Sequence, residues 1–95
     1  MVDYIKMEDL KNLKDINLID IRSKDLYDLN HIPNAINIPT SQLLANTNKY
    51  LDKTNKYYIY CQKGFQSKKI CQILSNLGYN VTNILGGFDS WLLLK

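Results

Sequence analysis

The sequence is poor in the residues on which several kinds of site depend. It has only two cysteines, Cys61 and Cys71. Two are too few for a disulfide-built scaffold, and their spacing is not the C-x-x-C of a dithiol redox site. His31 is the only histidine, so soft metal ligands are too few at workable spacing and no metal is expected. Arg22 is the only arginine among 12 basic residues. The lysines are scattered along the chain and the net charge is +3. A nucleic-acid footprint would need a basic stripe or a recognised binding motif, and neither is present. No apolar run approaches the length of a membrane span; Trp91 to Leu94 is a short example. Met1-Val2-Asp3-Tyr4 opens no apolar stretch of signal-peptide length. The expectation is a cytoplasmic protein with reduced thiols and with neither nucleic-acid nor membrane partners.

What is present is globular. Hydrophobic residues make up 45% and charged residues 22% of a 95-residue chain. A chain of that length buries one modest core, so residues 1–95 are expected to form a single domain, as a monomer. Asn17 to Ile21, Lys56 to Tyr60 and Asn80 to Leu85 read as strands, with a short fourth at Ala35 to Ile38 closed by Pro39. Helical patterns lie between them. Met7 to Leu13 is short, Ser23 to Leu29 has Ser23 as an N-cap, and a turn follows Thr40 or Ser41 through Leu44. The strongest runs from Ser67 to Leu77, where Ile70, Ile73, Leu74 and Leu77 fall at i, i+3, i+4 and i+7 and Gly78 supplies the stop. Phe88 to Leu93 can form a closing helix. Strands alternating with helices predict an α/β fold, a parallel sheet flanked by helices on both faces. In such sheets ligands bind at the carboxyl ends of the strands.

Cys61 stands at one of those ends. It is followed by Gln62, Lys63, Gly64, Phe65 and Gln66, and then by Ser67 and the strongest helix. A turn curled around the sulfur would aim its backbone N–H groups inward, and Gly64 permits the backbone angles such a curl needs. The helix adds the positive end of its dipole, and Lys63, Lys68 and Lys69 add formal charge nearby. Each contribution favours thiolate over thiol, so Cys61 is the candidate nucleophile. Taken alone, a cysteine at a strand end is more often a small buried apolar residue. The strand–Cys–loop–helix order with a central glycine reverses that preference. For Cys71, beside the apolar stripe of the helix, core filling is the better reading.

These residues resemble the rhodanese family of single-domain sulfurtransferases. The loop from Cys61 to Ser67 is similar to the family's active-site loop, which opens with Cys and carries Gly at its fourth place. Upstream, Asp20-Ile21-Arg22, Tyr27 and the run His31-Ile32-Pro33-Asn34-Ala35-Ile36-Asn37-Ile38-Pro39 resemble its D-x-R … G-H-I-x-G-A-x-N-I-P signature. Leu85-Gly86-Gly87-Phe88 with Trp91 resembles its terminal G-G-x-x-x-W stretch. The resemblance implies sulfane-sulfur transfer. Cys61 would attack thiosulfate or a persulfide, carry the sulfur as its own persulfide, and pass it to a thiophilic acceptor. It implies a substrate-binding loop of Gln62, Lys63, Gly64, Phe65, Gln66 and Ser67. It also implies a small anionic sulfur donor, a thiol or protein-thiol acceptor, and no cofactor. Three departures stand out. Asn30 and Asn34 occupy places where the family commonly has Gly, and Gln66 occupies one that is often Arg. The last removes a fixed charge and a fork of donors. Lys63 is similar to a lysine of thiosulfate-using members and can supply charge instead.

Three other readings compete. A Cys-dependent phosphatase or arsenate reductase needs an arginine after five intervening residues to clamp its oxyanion, and Ser67 stands there. A non-catalytic binding module and a protein-to-protein sulfur-relay carrier both remain open. Outside the loop the expectations are structural. Asp20 and Arg22 form a buried pair near the site, His31 satisfies loop backbone groups, and Phe88 and Trp91 fill core. Ser67 caps the long helix, its hydroxyl turning to the sulfur being the secondary reading. Phe65 lies either at the pocket rim or folded onto the core.

Overall fold

The computed structural model describes residues 2–94. Its centre is a five-stranded, wholly parallel sheet. In chain order the strands are β1 (Asp3–Lys6), β2 (Asn17–Asp20), β3 (Ile36–Asn37), β4 (Lys56–Tyr60) and β5 (Asn80–Leu85). They lie side by side as β1-β5-β4-β2-β3. The helices are α1 (Met7–Leu10), α2 (Lys24–Leu29), α3 (Thr40–Ala45), α4 (Thr47–Tyr50), α5 (Phe65–Asn76) and α6 (Gly87–Leu93). Among the described residues no helix is long and apolar enough to cross a membrane.

The central strand explains the two-faced core. Successive side chains of a strand point to opposite faces. From β4, Tyr57, Ile59 and then Cys61 join the cluster with Leu43, Ile70, Cys71, Leu74 and Val81. Tyr58 and Tyr60 join the opposite cluster with Met7, Leu10, Leu18, Ile32, Ile84 and Phe88. A parallel sheet is stable only with both faces covered, and these clusters are the two coverings.

Three sequence expectations change. The edge strand β1 and the short helix α4 were not anticipated, and α1 ends at Leu10 rather than Leu13. The buried stripe of α5 is Ser67, Ile70, Cys71 and Leu74, while Ile73 and Leu77 are exposed. The stripe therefore begins one turn earlier than the apolar pattern suggests, because Ser67, a polar residue, faces inward with it. Of the two asparagines at glycine-like places, Asn34 has a left-handed φ of 72°, a conformation Asn tolerates better than most residues. Asn30 has φ −170° and is simply extended.

Candidate active site

β4 ends at Tyr60, and the chain turns through Cys61, Gln62, Lys63 and Gly64 before α5 begins at Phe65. Gly64, with φ 93°, makes the turn. A side chain there would be strained, and a Cβ would stand 2.8 Å from the Gly86 nitrogen. The turn brings two backbone donors onto one atom. The amide of Gly64 lies 3.1 Å from Cys61 Sγ and that of Ser67 lies 3.3 Å from it. Ser67 does not cap α5, since Gly64 occupies the N-cap position. Instead its Oγ sits 3.2 Å from Sγ and donates to Asn83 Oδ1 on β5. As a thiol, Cys61 donates to Ser67 Oγ. As a thiolate it is an acceptor for the two amides.

The rest of the site keeps backbone oxygens engaged elsewhere. The amides of Phe88 and Asp89, at the start of α6, donate to the carbonyls of Cys61 at 2.9 Å and Gln62 at 3.0 Å. Asn83 Nδ2 donates to the carbonyl of Gly64 at 3.3 Å. An oxygen held by such a donor is not available to turn toward the sulfur. The first turn of a helix leaves amides without intrahelical acceptors. At α5 one of these, from Ser67, is used by Sγ. Those of Phe65 and Gln66 are the next along the same turn.

Arg22 underpins the loop. Its guanidinium is bidentate to Asp20, with Nη2 to Oδ2 at 2.8 Å and Nε at 3.1 Å from both carboxylate oxygens. Nη2 also donates to the carbonyl of Asn30 at 2.7 Å, and the cation lies 4.2 Å from the centroid of the Phe88 ring. Both Asp20 and Arg22 are buried. Arg22 Nη1 then donates to Gln62 Oε1 at 3.0 Å, and Gln62 Nε2 donates to Asp89 Oδ1 at 2.6 Å. Gln62 thus ties its own loop to β2 and α6. Tyr60 completes this layer: its hydroxyl accepts from the amide of Ile32, and burial raises its pKa, with Asp20 adding to the rise. His31 stacks on Tyr27 at 3.7 Å and bonds the Tyr27 carbonyl through Nδ1.

The loop residues therefore fall into two groups. Cys61, Gly64 and Ser67 are buried together, with Cys61 retaining 5% of its surface, while Lys63, Phe65 and Gln66 are exposed. Phe65 is 73% exposed, which places it at the rim rather than on the core. Gln66 Nε2 reaches Thr40 Oγ1 at 3.2 Å. Lys63 Nζ stands 3.8 Å from Asp89 Oδ2. Asn83 escaped sequence reasoning altogether. The only available signal was a polar residue inside an otherwise buried strand, and that rule points equally to Thr82. Cys71 lies fully buried one turn beyond Ser67. Burial pushes its thiol up to about 12, with the neighbouring Cys61 adding to the rise, so Cys71 is a poor nucleophile.

A cysteine held by two backbone amides thus stands at the carboxyl end of the central strand of a parallel α/β sheet. The chain belongs to the rhodanese-like domain family, which matches residues 5–94. It is 30% identical over 91 residues to the thiosulfate sulfurtransferase GlpE of Coxiella burnetii, across 95% of this chain and 84% of that one. A tRNA sulfurtransferase of Thermoplasma acidophilum is 40% identical over 65 residues, across 68% of this chain but 13% of the relative. The crystal structure of a rhodanese-like domain protein from Staphylococcus aureus superposes with a TM-score of 0.87 at 31% identity, over 95% of this chain and 91% of that one.

Proposed function

We propose that this protein is a sulfurtransferase that moves sulfane sulfur from thiosulfate or a persulfide to a thiophilic acceptor through a persulfide on Cys61. The observation that carries the reading is the convergence of the Gly64 and Ser67 amides on Cys61 Sγ. Donors already aimed at the sulfur can stabilise charge that develops there during transfer, and they need no rearrangement when the reaction occurs.

The cycle has two displacements. Thiolate Sγ attacks the outer sulfur of thiosulfate; a new S–S bond forms to Cys61 as the donor's S–S bond breaks, and sulfite leaves with the electron pair. The negative charge now sits on the outer sulfur of the persulfide. The amides of Phe65 and Gln66, in the first turn of α5 and so without intrahelical acceptors, are the donors we assign to that atom. An acceptor thiolate or cyanide then attacks the outer sulfur, the Cys61–S bond breaks, and Sγ leaves as the thiolate that began the cycle. Atoms and electrons balance without a further reactant. The donor is a small anion that Lys63 can attract from the rim. The acceptor is a thiol, free or on a protein. Both cysteines would stay reduced in a cytoplasmic setting.

Phosphoryl chemistry fits less well. The place of the oxyanion-clamping arginine is held by Ser67, and the chain's one arginine is committed to Asp20, Gln62 and Asn30. The test is thiocyanate formation from thiosulfate and cyanide. Turnover that is lost in Cys61→Ser supports the reading. No turnover with this donor or with an alkyl persulfide, in a folded protein, would replace it with a binding module.

A further inference from the structure

We infer that Asp89 sets the donor class of this site, biasing it against the thiosulfate dianion and toward alkyl persulfides, which carry at most one negative charge. The inference rests on the sulfurtransferase reading and deepens it.

Local charge decides which donor the site favours. A thiolate attacking a dianion must overcome like-charge repulsion, which a site offsets with uncompensated cations. Here the two cations that touch the loop are already matched. Arg22 is bidentate to Asp20, and both are buried. Lys63, the cation on the sulfur loop itself, faces Asp89 at 3.8 Å. The loop's last position is the uncharged Gln66, turned to Thr40. Arg22 and Lys63, the cations in contact with or on the loop, are thus each matched by a carboxylate, Asp20 and Asp89. Lys68 and Lys69 are exposed on α5.

Asp89 is also held in place. Its amide donates to the Gln62 carbonyl and its Oδ1 accepts from Gln62 Nε2. Gln62 is in turn fixed by Arg22. The carboxylate is therefore a fixture of the loop's edge and not a passing surface ion. A persulfide donor loads Cys61 by the same displacement: Sγ bonds to the outer sulfur, the donor's S–S bond breaks, and an alkyl thiolate leaves with the electron pair. Less repulsion has to be overcome.

The test is Asp89→Asn, which removes the charge while leaving an oxygen to accept from Gln62. Loading of Cys61 is followed by intact mass with thiosulfate and with hydroxyethyl persulfide. The wild-type protein is expected to load faster from the persulfide at equal concentration. Asp89→Asn should raise the thiosulfate rate about threefold to tenfold at low salt, with the gain shrinking as salt rises. The persulfide rate should move by less than about twofold on the same electrostatic argument. Lys63→Ala should move the thiosulfate rate the other way. A second readout needs no sulfur transfer: the ratio of Cys61 alkylation rates by anionic iodoacetate and neutral iodoacetamide should rise in Asp89→Asn. An unchanged ratio, or an unchanged thiosulfate rate, overturns the role of Asp89. Failure of the wild-type protein to load from either donor overturns the sulfurtransferase reading instead, and the alkylation ratio still decides on Asp89.

Discussion

Gly87 lies directly against the carbonyl of Cys61: a Cβ at Gly87 would stand 2.3 Å from that oxygen and 2.8 Å from the carbonyl oxygen of Gln62. The contact exists because the amides of Phe88 and Asp89, the next two residues of α6, hold those same carbonyls. Only a residue without a side chain lets the start of α6 come close enough. The Cys61 loop is thus seated on the turn that ends β5.

Replacing Gly87 with Ala should therefore unseat the loop. The new methyl overlaps backbone oxygen, and φ 56° adds strain for any non-glycine residue. A loss of about 2–4 kcal/mol is expected from the overlap and the left-handed strain together, read as a lower urea midpoint. Cys61 should also alkylate faster as the loop opens. Wild-type stability in Gly87→Ala would show that the loop does not depend on this contact.

Asn83 invites a second test. Its amide joins two partners, accepting from Ser67 Oγ and donating to the Gly64 carbonyl. Asn83→Leu leaves the Ser67 hydroxyl without that acceptor in a buried setting. A cost of about 1–3 kcal/mol follows from the unmet hydrogen bond. Because Ser67 and Gly64 both contact Sγ, persulfide formation should slow as well. If stability falls but loading does not, Asn83 is structural only; if neither changes, its bonds carry no weight.

Much of the fold could be read because its signals are local. The central strands β2, β4 and β5 are compact apolar runs ending at residues that change character: Asp20, Cys61 and Gly86. The weak edge strand β1 could not, since Asp3–Lys6 carries one half-buried residue among exposed ones. Apolar type alone marks the stripe of α5 at Ile70, Ile73, Leu74 and Leu77. The inward set includes Ser67, which turns to the sulfur and to Asn83 as its secondary reading allows; periodicity alone does not carry that contact. Cys61 and Gly64 stood out by their order between strand and helix. Gln62 as a tie between Arg22 and Asp89, and Asn83 behind Ser67, depend on elements brought together only by folding.

Cys71 and Tyr60 give the protein an alkaline limit. Burial raises both groups above their ordinary values, 9.0 for the Cys71 thiol and 10.0 for the Tyr60 hydroxyl. A raised value means the folded state holds its proton where the unfolded chain has lost it. That contribution is complete below the unfolded value and is lost as pH rises through the folded one. Thermal stability should fall from about pH 9 upward, at about 1.4 kcal/mol per pH unit for each such proton. Cys71→Ala should remove the part of the slope between pH 9 and about 12. A slope unchanged by that substitution would contradict the assignment.

The most direct measurement is the intact mass of the protein after incubation with thiosulfate and removal of the excess. The account predicts a gain of one sulfur atom, discharged by cyanide, absent in Cys61→Ser and retained in Cys71→Ser. A sulfur adduct that persists without Cys61, or none in a folded wild-type protein with either thiosulfate or an alkyl persulfide, would contradict it.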